Sequence, residues 1–304
     1  MGQLGEVTAG IPQDAATKPS IEVCIVAYGS EQVIAQAIAS AACIPSAAIA
    51  LCDNSPDGSS LVIASEAAAK NHLPFRSMTA THNPGFGAGC NLLAQTSSAD
   101  WLVFLNPDAE VLSWPWGPAG PDRWGIIGAE QIDSEDKPLG AYGISYTILE
   151  EIRRSWFRRQ SRKPTSRGFV GGAAMAIERK QFLQLRGFDE RYFLFYEDID
   201  LCMRANSSGV RVAVASNWVV RHNIGHSARR NLRKALSASY ESGRRFHVMQ
   251  GHSLFAYDCY VVVDSLARWL RMCVLRDPVG RNSYLKLMAG AARHAAHCKG
   301  MVEK

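Results

Sequence analysis

The segment FYEDIDLCMR, Phe195 to Arg204, puts three acids within four residues, beside aromatic side chains and a cysteine. If the run is helical, positions three and four apart share a face. Asp198 then stands over Leu201, Cys202 and Ala205 on the apolar side, with no partner in its own segment. Asp200 faces Arg204 and is expected to make an ordinary surface ion pair. An unpaired carboxylate on a buried face is costly, so such a group more often does chemistry than decorates a helix.

Two further acidic clusters lie where apolar runs end: Asp53-Asn54, and Asn106-Pro107-Asp108. Asp53 could accept a hydrogen bond from the imide N–H of uracil or thymine, or from guanine. It could equally cap the strong turn sequence DNSPDGS, and its place at a strand end favours nucleotide contact. In LNPDAEV, Pro107 fixes a turn that carries Asp108 just past a strand. A hard divalent cation bridging two phosphates needs one or two carboxylates and leaves its other positions to phosphate and water. Asp108 meets that need, although a plain turn acid would look the same.

The stretch NPGFGAGCN, Asn83 to Asn91, has two glycines spaced as in a dinucleotide fingerprint, but Cys90 replaces the third. It also follows a weak third strand and not the first. Close backbone approach to a ligand at a helix start fits better, with Asn91 as polar handle, against the simpler alternative of a loop-to-helix turn. RHNIGHS offers His222 and His226 at the end of another strand. Beside a phosphate-and-metal crevice, one of the two is a ligand candidate.

These groups need a scaffold that brings distant segments to one edge. IEVCIVAY (21–28) reads as a strand buried on both faces, EQVIAQAIASAAC (31–43) as a helix, and AIALCD (48–53) as a second strand. SSLVIASEAAAKN, PFRSMTA, GAGCNLLAQTS and WLVFLN continue the alternation as helix, strand, helix, strand. Such β-α alternation predicts an α/β fold, a parallel sheet covered by helices with ligands at the strand carboxyl ends. SWPWGPAGPDRWG predicts a loop, and Glu151 to Arg167 a mobile basic segment. GFVGGAAMAIE restores order; RVAVA and WVVRH follow as two short strands. From Ala228 onward three helical segments are expected.

The 304 residues, 47% hydrophobic and 20% charged, suffice for a large core. Eight cysteines without a CxxC pair sit mostly in apolar runs, which argues for reduced core thiols and a cytoplasmic setting. Residues 1–20 lack the basic start and apolar core of a signal peptide and are expected to be a flexible leader. No apolar run reaches the roughly eighteen residues of a membrane span. The net charge of +5 is uneven. Arg221 to Lys304 holds fifteen Lys/Arg against five Asp/Glu, and seven more Lys/Arg crowd into Arg153 to Arg167. A basic tail on an acidic body suggests an anionic partner surface, or merely a solvated basic face.

CIVAYGS, DNSPDGS, NPGFGAGCN, FLNPDAEV, GFVGGAAMAIERKQF, LRGFDERYFLFYEDIDLCMR and HNIGHS together resemble the family-2 inverting glycosyltransferases, within them the bacterial rhamnosyltransferase-like branch. The resemblance runs from about Ile21 to Ser227 and is most specific in the segment ending at Arg204. It implies a GT-A fold, a Rossmann-like mostly parallel sheet flanked by helices, over residues 21–227. Residues 228–304 then form a basic C-terminal helical extension. It also implies that Ala27, Tyr28 and Asp53 hold the nucleotide, with Asn83, Gly85, Asn91 and Asn106 along the same site. Asp198 takes the catalytic base position, and Glu197 beside it holds an acceptor hydroxyl or caps the helix. Asp108 takes the last position of a DxD-type metal motif for Mg2+ or Mn2+, with His222 as a further ligand. Asn106 stands where a strict motif has its first Asp.

The expected reaction moves a sugar, L-rhamnose from dTDP-rhamnose, to a glycan or polyprenyl-diphosphate acceptor in surface polysaccharide synthesis. Galactofuranose, glucose or N-acetylhexosamine from UDP or GDP donors are the alternatives within the family. The expected setting is cytoplasmic, peripheral on an anionic membrane surface, without nucleic acid and with a homodimer allowed. A sugar-nucleotide pyrophosphorylase would need a basic glycine-rich loop after the first strand, where this chain has AYGSEQV. A non-catalytic glycan-binding protein would explain the basic tail but not Asp198 and the metal-type turn.

Overall fold

The computed structural model describes residues 20–80, 82–121, 125–157, 163–223 and 232–302. The chain divides into two compact units. The first comprises Met1–Ile144, Ser161–Glu190 and Glu197–His226; the second comprises Ser145–Gln160, Arg191–Tyr196 and Ser227–Lys304.

The first unit is a mixed α/β layer structure. Strand β1 (Ile21–Ala27) is buried along its whole length, as its largely apolar run requires, and its one acid, Glu22, pairs with Arg76 at 2.6 Å. It pairs in parallel with β2 (Ala47–Asp53) and β4 (Trp101–Leu105), and β2 pairs with β3 (Phe75–Thr79). The connecting helices are α1 (Ile34–Ser40), α2 (Ser59–Lys70) and α3 (Phe86–Thr96). Beyond β4 come β5 (Ala109–Ser113), β6 (Ile126–Ile132), β7 (Tyr142–Gly143), β8 (Phe169–Val170) and β9 (Ala174–Glu178). After α5 (Arg179–Gln184) and α6 (Glu197–Ser207), β10 (Val212–His222) closes an eight-stranded sheet. Its order is β3-β2-β1-β4-β9-β6-β10-β5, with β7 and β8 as a separate ribbon.

Where two short strands were expected near residue 215, β10 is one strand with a register shift against β6 between Ala215 and Val219. The irregularity leaves Ser216 and Asn217 exposed and turns Trp218 fully inward. There Trp218 meets Trp114 and Trp116 edge-on, with ring centroids 5.2 and 5.8 Å away. Aromatic packing thus anchors the tryptophan-rich loop that the sequence marked only as irregular.

The glycines of NPGFGAGCN have packing duties. Gly85 takes φ 101° at the start of α3, a region closed to most side chains. A Cβ on Gly87 would lie 2.9 Å from Phe188 Cβ, and one on Gly89 2.9 Å from both Val26 methyls. Helix α3 can therefore sit close on β1.

In the second unit, α4 (Ile148–Phe157) occupies the start of the stretch expected to be mobile. The ordering partner is visible inside the unit: Glu151 accepts a 2.7 Å hydrogen bond from Tyr196 and lies 3.3 Å from His247 Nε2. Residues 158–162 of that stretch, and the leader 1–19, lie outside the described residues. The three expected C-terminal helices are α7 (Leu232–Met249), α8 (Leu254–Val274) and α9 (Pro278–Val302), packed around Tyr240, Tyr257, Val261 and Ala291. No described helix is long and apolar enough to cross a membrane.

Replacing Gly89 with Ala should lower stability by about 1–3 kcal/mol through overpacking against Val26. A urea midpoint unchanged from wild type would show that α3 can lift off the sheet without cost.

Candidate functional site

Strand β1 ends at Ala27, whose carbonyl accepts the Asn54 N–H at 2.8 Å, and the half-exposed Tyr28 ring follows. Asp53 closes β2 and is fully buried. Its two oxygens accept from Ser55 N–H (2.9 Å) and Ser60 N–H (3.0 Å), the turn-capping role weighed above against nucleotide contact. Asn54 turns the other way: its Nδ2 donates to Asn83 Oδ1 and to Gly85 O, both at 3.2 Å. Asn83 Oδ1 also accepts the Gly85 N–H at 3.0 Å. The β2 turn and the α3 entry are thereby one hydrogen-bonded edge.

Asn91 lies away from that edge. It is buried, and its amide is taken up by Phe188 N–H (2.9 Å), Phe188 O (2.8 Å) and Glu190 Oε1 (3.0 Å). These bonds hold the 187–190 turn against α3.

Asn106 and Asp108 follow β4, and His222 ends β10 opposite Ala109 in the β5 register. His222 Nε2 lies 3.3 Å from Asp108 Oδ1 and 3.4 Å from Asn106 Nδ2. Its Nδ1 faces Gln131 Oε1 at 3.2 Å, while Gln131 Nε2 donates to Gly171 O at 3.5 Å. With the amide oriented by Gly171, Nδ1 must carry the proton that Gln131 accepts. Nε2 then turns its lone pair toward Asp108 and the Asn106 amide N–H, an electron-pair donor beside a carboxylate that a shared cation would suit. Among the described residues no group of three His, Cys, Asp or Glu could hold a metal. One carboxylate and one imidazole still fit a cation that keeps most of its positions for phosphate and water. Asn106 belongs to this cluster by contact, and His226 lies outside the described residues.

Helix α6 begins at Glu197, directly after Phe195 and Tyr196, two non-glycine residues held at φ 68° and 70°. Consecutive strained residues of this kind cluster at functional sites. Asp198 is half-buried, where the sequence predicted the apolar face. The helix starts one residue earlier, so Asp198 lies in the first turn, among N–H groups free of helical partners. Its Oδ2 accepts from Gly172 N–H at 2.7 Å and its Oδ1 from Ile199 N–H at 2.8 Å. Asp200 does pair with Arg204 at 2.7 Å, but the acid is buried, so this is no surface pair. Arg204 also ties down the Leu185 and Gly187 carbonyls.

Glu197 is buried as well, 4% exposed, and unlike Asp200 it has no cation beside it; its Oε2 has no hydrogen-bond partner among the described residues. Burial first, and then the Asp198 carboxylate, push it well above the ordinary carboxylate range. The Glu197 Cβ and Cγ lie 3.6 Å from where a Cβ on Gly87 would stand.

Gln131 was not foreseen. It sits within a strand as an unremarkable amide, and only the register of β6 against β10 brings it to His222.

Residues 19–240 match the family described as glycosyltransferase like family 2, and the chain belongs to it. It is a GT-A-type glycosyltransferase. The N-acetylglucosaminyl-diphospho-decaprenol L-rhamnosyltransferase of Mycobacterium tuberculosis is 27% identical over 213 residues, covering 58% of this chain and 68% of the relative. Rhamnosyltransferase WbbL of Escherichia coli K12 is 33% identical over 184 residues, covering 53% and 69%. Among solved structures, the mannosyltransferase PcManGT from Pyrobaculum calidifontis, in complex with GDP-Man and Mn2+, aligns with a TM-score of 0.53 at 13% identity. That match covers 96% of this chain and 83% of the other, and speaks to the fold.

Two measurements check the site's internal chemistry. A carboxyl whose folded value is raised stabilises the fold fully below its unfolded value and loses that contribution as pH rises through the folded one. Glu197→Gln should therefore gain stability relative to wild type as pH rises above the ordinary carboxylate range; parallel melting-temperature profiles would mean that Glu197 is ionised in the fold. Separately, Gln131→Leu should turn the single Nδ1–H tautomer of His222 into a mixture. Nitrogen-15 spectra of the two ring nitrogens at alkaline pH would read this directly, and an unchanged tautomer would free Gln131 from the role.

Proposed function

We propose that the chain is an inverting rhamnosyltransferase, moving L-rhamnose from dTDP-rhamnose to a polyprenyl-diphosphate-linked or glycan acceptor. Two relatives named for rhamnosyl transfer support the donor sugar. The observation that carries the reaction type is Asp198, a single half-open carboxylate fixed by Gly172 and by its own helix start.

In this reading Asp198 accepts the proton of the acceptor hydroxyl as that oxygen bonds to the anomeric carbon. The bond to the nucleoside diphosphate breaks on the opposite face, which inverts the centre. Helix α6 favours the ionised form of Asp198 through its N-terminal dipole, and the raised Glu197 carboxyl disfavours a second negative charge beside it. Tyr28, Ala27 and the Asn54–Asn83–Gly85 edge take the nucleotide, and Asp53 keeps that edge folded. Asp108 and His222, with Asn106, are the residues that would hold a divalent cation, as the Mn2+ bound with GDP-Man in PcManGT suggests for this fold. When bound, such a cation offsets charge that develops on the departing diphosphate. The basic C-terminal helices and the Arg153–Arg167 segment are read as facing an anionic membrane surface.

Asp198→Asn preserves size but removes the proton acceptor. Transfer should fall by about 10²-fold or more, roughly 3 kcal/mol in the barrier, while donor binding survives. In the same calorimetric series, Asp108→Ala should lose the metal-dependent part of nucleotide-diphosphate binding. Near wild-type turnover by Asp198→Asn would misplace the base.

A further inference from the structure

The turn between α8 and α9 spends apolar and cationic side chains where neither has a partner. Val274 is 82% exposed, Val279 62% and Leu275 60%, with Leu270 one turn earlier on α8 also exposed. Around them stand Arg271, Arg276 and Arg281, all exposed and without an ion pair or side-chain hydrogen bond among the described residues. Arg268 shows the contrast, because it pairs with Asp264 at 2.6 Å.

The turn itself is well fastened, so loose chain does not account for this exposure. Arg276 N–H donates to Cys273 O (3.2 Å) and Asp277 N–H to Met272 O (3.0 Å), the two reverse bonds that close a helix end. Asp277 Oδ1 then accepts from Val279 and Gly280 N–H at 3.0 Å each, and Pro278 opens α9. Gly280 lets the helices meet, since a Cβ there would lie 2.7 Å from Met272 Cγ.

Two placements run against local preference. Arg276 holds φ 53° at the position where glycine is cheapest, and Arg281 lies near the start of α9, where the helix dipole disfavours a cation. The end of α8 would welcome Arg271 and Arg276, but it does not explain Arg281.

We propose that the α8–α9 turn docks on an anionic lipid surface, Leu270, Val274, Leu275 and Val279 entering the interface and the three arginines meeting headgroups. This rests on the peripheral-membrane reading above and names the face that carries it. Exposed apolar side chains beside three unpaired arginines, with the single acid Asp277 turned to the start of α9, match such a surface in both respects. A second copy of the chain matches only the apolar part, because like charges would face each other.

The full chain would be sedimented with vesicles of phosphatidylcholine alone or with added phosphatidylglycerol. Wild type should partition to the anionic vesicles only, and less at high salt. Arg271→Gln, Arg276→Gln and Arg281→Gln together should weaken partitioning by about 100-fold, roughly fivefold per arginine. Val274→Ser with Leu275→Ser should weaken it at both low and high salt, with melting temperature unchanged because both sites are exposed. If wild type ignores anionic vesicles, the membrane reading itself falls, and this proposal with it. If wild type binds and both tip variants bind equally well, the membrane reading stands and the turn is the wrong face. Loss of self-association by light scattering, with vesicle binding intact, would overturn the proposal in favour of a second copy.

Discussion

The peptide group between Gly171 and Gly172 is the constraint that the rest of the site depends on. Its N–H holds Asp198 Oδ2 at 2.7 Å, and its carbonyl accepts from Gln131, whose oxygen faces His222. One rigid plane thus fixes the direction of a carboxylate on α6 and, through one amide, the tautomer of an imidazole on β10. A side chain at either glycine would be tight. A Cβ on Gly171 would stand 3.2 Å from Ala141 O, and one on Gly172 3.2 Å from Asp198 Cβ. Because hydrogen bonds in series polarise one another in a poorly solvated setting, a disturbance at either end of this chain should be felt at the other.

Much of the fold was legible because its signals are local. A mainly apolar run such as Ile21–Ala27 has few structural uses, and the following β-α alternation leaves little freedom in topology. The later half was harder. Nothing within RVAVA and WVVRH says that they are one strand; the continuity comes from Trp218 packing on Trp114 and Trp116, a contact made across the sheet. Helix α4 was hidden by its arginines, since its ordering partners Tyr196 and His247 are distant in sequence.

The site was legible by residue type more than by role. Acids at strand ends and at a helix start stand out, so Asp53, Asp108 and Asp198 were visible. Their states were not. Asp198 owes its place to free N–H groups at a helix start, not to burial. Asn91 and Glu197 looked like ligand groups because polar residues inside apolar segments usually are, yet each is absorbed in the interior. Gln131 carried no signal at all, because an amide on a strand gains meaning only from the register that sets it beside His222.

Electrostatics links these placements into a single requirement. Glu197, Asp198 and Asp108 would together bring three negative charges to a crevice proposed to receive a diphosphate. Burial and the neighbouring carboxylate both raise Glu197 well above the ordinary carboxylate range, which disfavours a charge there. Asp198 receives two N–H groups at the positive end of a helix dipole, an arrangement that favours the charged form the proposed base would need. Asp108 has His222 beside it, with Asn106 on the same imidazole, and neither brings a permanent positive charge. In the proposed reading that deficit is the reason for a cation. The diphosphate and Asp108 repel each other until something positive is shared between them, and the lone pair that Gln131 turns toward Asp108 marks where it would be held.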